Sequence, residues 1–217
     1  MRIAVLSDIH GDLHKLPDCA ETLKNSDCII VAGDISRHGD FYEIETVINE
    51  LSHLNKNIFA VPGNMDGEKS VQLLEKLKVN IHGKKVEFKG YKIVGCGGAT
   101  KTPFGTPFEI SEEDLANCIN ANLSEDEKTI LVCHNPPYKT KTDKTLFGLH
   151  AGSKLLRKII EEKQPEIFVS GHIHEASGTD KIGKTVLLNP GPFRRGTVGI
   201  IEIDNDNEKI NAKVEQF

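Results

Sequence analysis

Short apolar runs alternate with amphipathic stretches through the first third of the chain. Residues 2–7, 28–32 and 58–61 are near-continuous apolar runs, the pattern of strands covered on both faces. Between them, residues 13–25 place Leu13, Leu16, Ala20 and Leu23 at helical spacing, and residues 41–54 do the same with Ile44, Val47, Ile48 and Leu51. Residues 71–77 carry a third helical pattern. Strand, helix, strand in this order predicts right-handed βαβ units on a parallel sheet.

The rhythm then changes. Residues 86–88 and 92–95 flank Lys89-Gly90 and predict a hairpin. Glycines and prolines fill residues 95–107, which predict a loop. A Ser-capped helix is expected over 111–122 and another over 153–163, with buried strands at 128–133 and 167–170. Residues 135–149 form a polar loop rich in proline and lysine. Residues 185–188, 198–203 and 209–214 predict antiparallel strands. No repeat, linker or low-complexity stretch interrupts residues 1–217, so one α/β domain with a mixed second sheet is expected.

Composition narrows the class. The chain has 217 residues, with 27 basic and 32 acidic side chains and a formal net charge of −5. Its longest apolar runs are about five residues, far short of the ~20 that cross a bilayer. The apolar start leads into Ser7-Asp8 with no cleavage site, so a strand is expected there and not a signal peptide. Five cysteines are scattered without a CxxC pair. Reduced thiols in the cytoplasm are the simple reading. Net acidity argues against broad nucleic-acid binding.

The chemistry stands at the ends of the strands. The five buried runs end in Ser7-Asp8-Ile9-His10-Gly11, Gly33-Asp34, Gly63-Asn64-Met65-Asp66, His134-Asn135-Pro136-Pro137 and Gly171-His172-Ile173-His174. In open α/β sheets the crevice beyond the carboxyl ends of the strands holds the ligand, so these ends should converge. Asp8 and His10, like His172 and His174, are two apart, which puts both side chains on one side of an extended chain. Two aspartates, an asparagine and four histidines suit Mn, Fe, Zn or Co better than Ca or a thiolate site. Seven ligands exceed one such ion and suit two that share a carboxylate, the clamp used for in-line displacement at phosphorus.

DIHG, GD, GNMD, HNPP and GHIH, in this order, resemble the motifs of the calcineurin-like metallophosphoesterases: D-x-H, G-D, G-N-H-[DE], H and G-H-x-H. The resemblance spans Asp8 to His174, with Asn189-Pro190-Gly191 echoing a trailing loop. The small prokaryotic Icc-related branch is the most similar. The resemblance implies a four-layer α/β/β/α sandwich, two mixed sheets flanked by helices. It implies one divalent metal on Asp8, His10, Asp34 and His174 and another on Asp34, Asn64, His134 and His172, with Asp34 bridging. Manganese is the first expectation, with Fe, Zn, Ni or Co as alternatives. A hydroxide between the ions would attack phosphorus in line, with Asp34, Asn64, His134 and Asp66 as the catalytic set. One position departs from the pattern: Met65 replaces the histidine that usually protonates the leaving group. Methionine transfers no proton, which should slow esters with poor leaving groups by ~10²–10⁴-fold. Small family members with this gap resemble phosphodiesterases that act on activated or small diesters, and the resemblance implies that activity here.

Other residues have two readings each. His38 and His150 lie in loops expected near the site and are either substrate-binding proton donors or solvated loop histidines. Arg37 either holds a phosphate oxygen or is a surface arginine. Asp66 and Glu175 could orient ligand histidines. Arg194 and Arg195, after Asn189-Pro190-Gly191, could reach the same crevice but read first as a solvated turn, and His14, His53 and His82 read as surface residues. Lys139, Lys141 and Lys144 make the loop after His134 locally basic. A small phosphorylated substrate is the expected partner, with no membrane and no nucleic acid, and the oligomeric state is left open. A phosphomonoesterase, a nuclease and a non-catalytic scaffold of the same fold are the alternatives.

Overall fold

The computed structural model describes residues 1–103, 105–124 and 127–217. The first sheet has the order β11-β10-β1-β2-β3. Its parallel part is β1 (Arg2–Leu6), β2 (Cys28–Ala32) and β3 (Ile58–Val61), joined through α1 (Leu16–Lys24) and α2 (Phe41–Leu54). The last strands close the sheet's edge: β10 (Thr197–Asp204) returns antiparallel beside β1, and β11 (Lys209–Gln216) pairs antiparallel with β10. The second sheet has the order β4-β5-β6-β7-β9-β8. It consists of β4 (Lys84–Phe88), β5 (Tyr91–Cys96), β6 (Thr129–Cys133), β7 (Ile167–Val169), β8 (Gly178–Ile182) and β9 (Thr185–Asn189). β5, β6, β7 and β9 run parallel, while β4 and β8 are antiparallel edges. Helices α3 (Ser70–Lys76), α4 (Glu112–Asn120) and α5 (Lys154–Lys163) complete the chain.

Period-two alternation explains the layers. On β1 and β2, Ala4, Leu6, Ile29 and Val31 pack under α1 and α2, against Cys19, Leu23, Ile44 and Val47. Ile3, Val5, Ile30 and Ala32 face the other way, toward Ile93, Ile130, Val132 and Val169 of the second sheet. The outer face of that sheet, with Val94, Leu131 and Phe168, buries Leu115, Ile119, Leu156 and Ile160 of α4 and α5. Three apolar layers between four structural layers make the α/β/β/α sandwich, with two mixed sheets flanked by helices.

Three elements differ from the sequence reading. α1 begins at Leu16 rather than residue 13, because Pro17 belongs in a first helical turn, where its missing N–H costs nothing. β8 has no counterpart in that reading: it is a polar edge strand with little buried surface and therefore little pattern. Residues 185–189 pair parallel to β7 on one side as well as antiparallel to β8 on the other. Ser111 and Ser153 cap α4 and α5 as expected, accepting from the amides of Asp114 and Leu156.

Candidate metal centre

The carboxyl ends of β1, β2, β3, β6 and β7 meet at one end of the sandwich and bring five loops together. The chain leaves its strands sharply there. Asp8, His10, Asp34 and His172 have φ of 52°, 49°, 51° and 70°. The left-handed region is uncommon for side chains of this kind, and it persists where the surroundings over-determine it. Here the surroundings are backbone ties between loops. The amides of Asp8, His10 and Gly11 donate to the carbonyls of Gly33, Asp34 and Ile35 at 3.0, 2.9 and 2.8 Å. The amide of Gly171 donates to the carbonyl of His134 at 3.1 Å.

Close approach explains two of the glycines. A Cβ on Gly63 would lie 2.0 Å from Asp34 Oδ1, and one on Gly171 would lie 1.8 Å from Ser7 Oγ and 2.8 Å from Asp8 Oδ2. Each glycine leaves room for the carboxylate of the neighbouring loop.

The side chains converge on Asp34. Its Oδ2 lies 3.8 Å from His10 Nε2 and 3.5 Å from His134 Nε2, and its Oδ1 accepts from the amide of Met65 at 2.8 Å. Asp8 Oδ1 lies 3.1 Å from His174 Nε2, and both Asp8 oxygens face the His172 amide at 3.2 Å. Asn64 Oδ1 lies 3.0 Å from His134 Nε2. The His134 and His172 rings meet edge to face at 5.1 Å, and those of His10 and His174 at 5.5 Å. Asp8, Asp34, Asn64 and His134 are buried, while His10, His172 and His174 are half-buried.

This donor set fits divalent metals. Ligand atoms of Asp8, His10 and His174 lie within 4.8 Å of one another, as do those of Asp8, Asp34 and His134. His134 Nδ1 donates to the carbonyl of Ala32 at 2.7 Å, and His10 Nδ1 faces the carbonyl of Ser36 at 3.3 Å. Each bond leaves the Nε2 lone pair toward the centre, the arrangement that orients a metal-binding imidazole.

The electrostatics match. Burial alone would push the Asp34 carboxyl up, but the His134 charge and hydrogen bond outweigh it and hold Asp34 below the usual range. Asp8 is likewise held well down: burial opposes its charge, and the His174 hydrogen bond and the His134 charge prevail. Burial disfavours a charge on His134, yet Asp34 and Asp8 raise it to about 10. His172 is lowered to about 4 by burial and by the neighbouring His134 charge. The carboxylates of Asp34 and Asp8 thus hold a proton, and its positive charge, on His134.

Asp66 is buried behind the candidate ligands. Its Oδ2 accepts from the amides of Gly63 and Ile35 at 2.7 and 3.1 Å, and its Oδ1 from the amide and hydroxyl of Ser36 at 2.7 and 3.0 Å. It clamps the loop carrying Asp34 to the loop carrying Asn64. Burial and the Asp34 charge push its pKa up to about 6. Arg37 is largely exposed, and its Nε donates to the carbonyl of His10 at 2.8 Å. His38 is exposed in the turn before α2. His150 is tied instead to Asp143, at 2.6 Å, within the loop after β6. Glu175 accepts from the amide of Leu146 at 2.7 Å and not from a ligand histidine.

Two positions depart from their sequence reading. Arg195 is more than a solvated turn residue: its Nη1 donates to the carbonyl of His174 at 3.1 Å, mirroring Arg37 on His10. His82 is half-buried, not a surface residue. Its ring meets Phe108 at 5.7 Å and its Nδ1 accepts from the Gly97 amide at 2.8 Å. No motif marks these braces, because an arginine or histidine on a backbone carbonyl or amide leaves no spacing signature.

Comparison with known proteins agrees with this picture. The chain is 38% identical over 197 residues to an uncharacterised protein of Methanocaldococcus jannaschii, MJ1162, with 88% of each chain covered. Its fold is similar to that of TT1561 of Thermus thermophilus, at 19% identity and a TM-score of 0.73 over 97% of both chains. It is also similar to a dimetal phosphatase from Danio rerio, at 11% identity and a TM-score of 0.66 over 98% of this chain and 96% of that one. The family model for calcineurin-like phosphoesterases matches residues 1–176, from the first strand past the last candidate ligand, and the chain belongs to that family.

Proposed function

We propose that the protein is a phosphodiesterase that hydrolyses small phosphodiesters with two divalent ions, manganese first among them. The observation that carries this reading is Asp34 Oδ2, which lies between His10 Nε2 and His134 Nε2 at 3.8 and 3.5 Å. A single buried oxygen facing two imidazoles is the geometry of a shared ligand. Asp8, His10 and His174 would complete one ion's set, and Asn64, His134 and His172 the other's. When bound, such a pair of ions lowers the pKa of water and offsets charge on the phosphoryl oxygens.

The chain's own residues hold and orient. The carbonyls of Ala32 and Ser36 set the His134 and His10 tautomers, and Asp66 holds two ligand loops in register. Arg37 and His38, on the turn after Asp34, are the candidates for substrate contact on that side, and His150 on the opposite loop. The Met65 amide is committed to Asp34 and its thioether carries no proton. Leaving groups must therefore depart without a protein acid at position 65, which favours activated diesters whose leaving group is a stabilised anion such as a phenolate and disfavours alkoxides. Five free cysteines fit a reducing compartment such as the cytoplasm.

The test is a matrix of Mn, Ni, Co, Zn and Mg against aryl monoesters, aryl diesters, cyclic nucleotides and oligonucleotides. Metal-dependent turnover should be fastest on a small diester. Preference for monoesters or oligonucleotides would overturn the specificity, and metal binding without hydrolysis of any ester would point to a scaffold.

A further inference from the structure

The loop between β6 and α5 carries a feature that the metal centre does not use. Its tip is a closed turn. The Thr145 amide donates to the Leu149 carbonyl at 2.8 Å, and the Gly148 amide donates to the Thr145 carbonyl at 2.8 Å. The Leu149 amide donates to Thr145 Oγ1 at 3.2 Å, and the Leu146 amide donates to Glu175 Oε1 at 2.7 Å. This ordered turn presents Leu146, Phe147 and Leu149 to solvent at 80%, 89% and 68% exposure. Turns are ordinarily polar, and three bare apolar side chains on one tip are a marked exception.

Two further observations say what covers them. First, the amides of residues 145, 146, 148 and 149 are all paired within the protein, which lowers the cost of drawing the turn partly out of water. Shallow insertion at the headgroup boundary, where water still reaches the remaining backbone groups, is the depth such a turn allows. Second, the base of the turn is basic. Lys139, Lys141 and Lys144 lie on the strand-side arm of the loop and Lys154 opens α5 on the other, and among the described residues none of the four pairs with a carboxylate. Lys139 and Lys154 Nζ lie 5.7 and 5.3 Å over the Tyr138 ring. The acids facing this region are hydrogen-bonded to the backbone of the same loop and keep their charge, so the lysines outnumber them by four to three. Asp143 is buried, paired to His150 and accepting from the amides of Lys139, Thr140 and Gly152. Glu175 and Asp180 accept from the amides of Leu146 and Lys141. An exposed apolar tip on a loop whose lysines lack ion-pair partners matches an anionic lipid surface, which offers hydrocarbon below negative headgroups. A second copy of the chain fits less well, since one short turn falls far below the ~20–30 residues a side of a stable interface.

We infer that residues 144–150 form a finger that docks the protein on anionic lipid bilayers. Glu175 ties the finger beside His174, and His134 begins the same loop. Docking would therefore turn the metal crevice toward the headgroup layer. The inference concerns where the protein works and holds whichever ester it cleaves.

The chain has no tryptophan, so Phe147→Trp creates a single reporter. With vesicles of phosphatidylcholine and phosphatidylglycerol, its emission should shift to the blue and be quenched by lipids brominated on the acyl chain. Phosphatidylcholine alone should produce little change. On that background Leu146→Ser with Leu149→Ser should weaken partitioning at least ~10-fold. Lys139→Gln and Lys144→Gln should each weaken it by about fivefold while leaving the apolar tip intact. Unshifted emission with anionic vesicles overturns the inference, as does equal binding to neutral vesicles. A blue shift that grows with protein concentration in the absence of lipid overturns it in favour of self-association. No readout depends on turnover.

Discussion

Replacing Gly63 with alanine isolates the contact between two ligand loops. Gly63 has an ordinary backbone conformation, so alanine there suffers no conformational strain of its own. The cost is steric. The new Cβ would lie 2.0 Å from Asp34 Oδ1, 2.2 Å from Asp34 N and 2.7 Å from Asp34 Cγ. The first of these is about 1.4 Å short of ordinary contact at 3.4 Å. A flexible side chain could swing aside, but the Asp34 amide is backbone, and the neighbouring carbonyl is held by the amide of His10 at 2.9 Å. The loops after β2 and β3 must therefore part by roughly 1 Å, which strains the Asp66 clamp and carries Asp34 away from both imidazoles. Overpacking of this kind costs about 1–3 kcal/mol of stability. A displacement near 1 Å costs about 10²-fold where geometry must hold within ~0.5 Å. Calorimetric titration with Mn should show affinity lower by at least ~10²-fold, with urea unfolding of the metal-free variant weaker by a few kcal/mol. Affinity and metal-free stability both within threefold of the parent's equilibrium constants would refute the reasoning.

In metal-free protein His134 is charged near neutral pH, because Asp34 and Asp8 outweigh burial and raise it to about 10. A raised histidine stabilises the fold fully below its ordinary value of 6.5 and loses that contribution as pH rises toward 10. Urea unfolding in EDTA should thus weaken across that window, and Mn binding near neutral pH should release about one proton, read by calorimetry in buffers of different ionisation heat. A flat profile without proton release would remove His134 from the electrostatic account. Met65→His should raise turnover of an alkyl monoester by ~10-fold or more; an unchanged rate would mean that leaving-group protonation does not set the preference. Ser153→Ala removes the cap on the Leu156 amide and the bond from Ser153 Oγ to Glu112, and should cost ~1–2 kcal/mol in urea. A cost below a few tenths would show that the α4–α5 tie contributes little.

The five strand-terminal motifs were legible because each is local. An apolar run announces the strand, and the polar residues that follow announce a crevice at its end. α2 was legible to its boundaries, since Asp40 accepts from the Tyr42 and Glu43 amides and the apolar stripe is strict. β8 was not, because an exposed polar edge carries little period-two contrast. The destination of β10 and β11 was also hidden. Nothing in residues 197–204 says that they pair with β1 at the opposite end of the chain and carry β11 with them, and only the fit of Val198 and Ile200 under the helices of the first sheet decides it.

The division at the metal centre follows the same line. Residue type and order already offered a set of nitrogen and oxygen donors that could hold divalent ions, since those properties belong to single side chains and short spacings. Which oxygen sits between which imidazoles, and which atom holds each ring, depends on contacts across long separations: Ala32 to His134 spans 102 positions and Asp8 to His174 spans 166. Asp66 shows the difference most clearly. In the motif it stands beside a missing histidine and looks stranded; in the folded chain it is a clamp between two loops. The bare apolar tip at Phe147 is likewise invisible in composition, because exposure is a property of what fails to pack against a side chain, and packing exists only once the chain has folded.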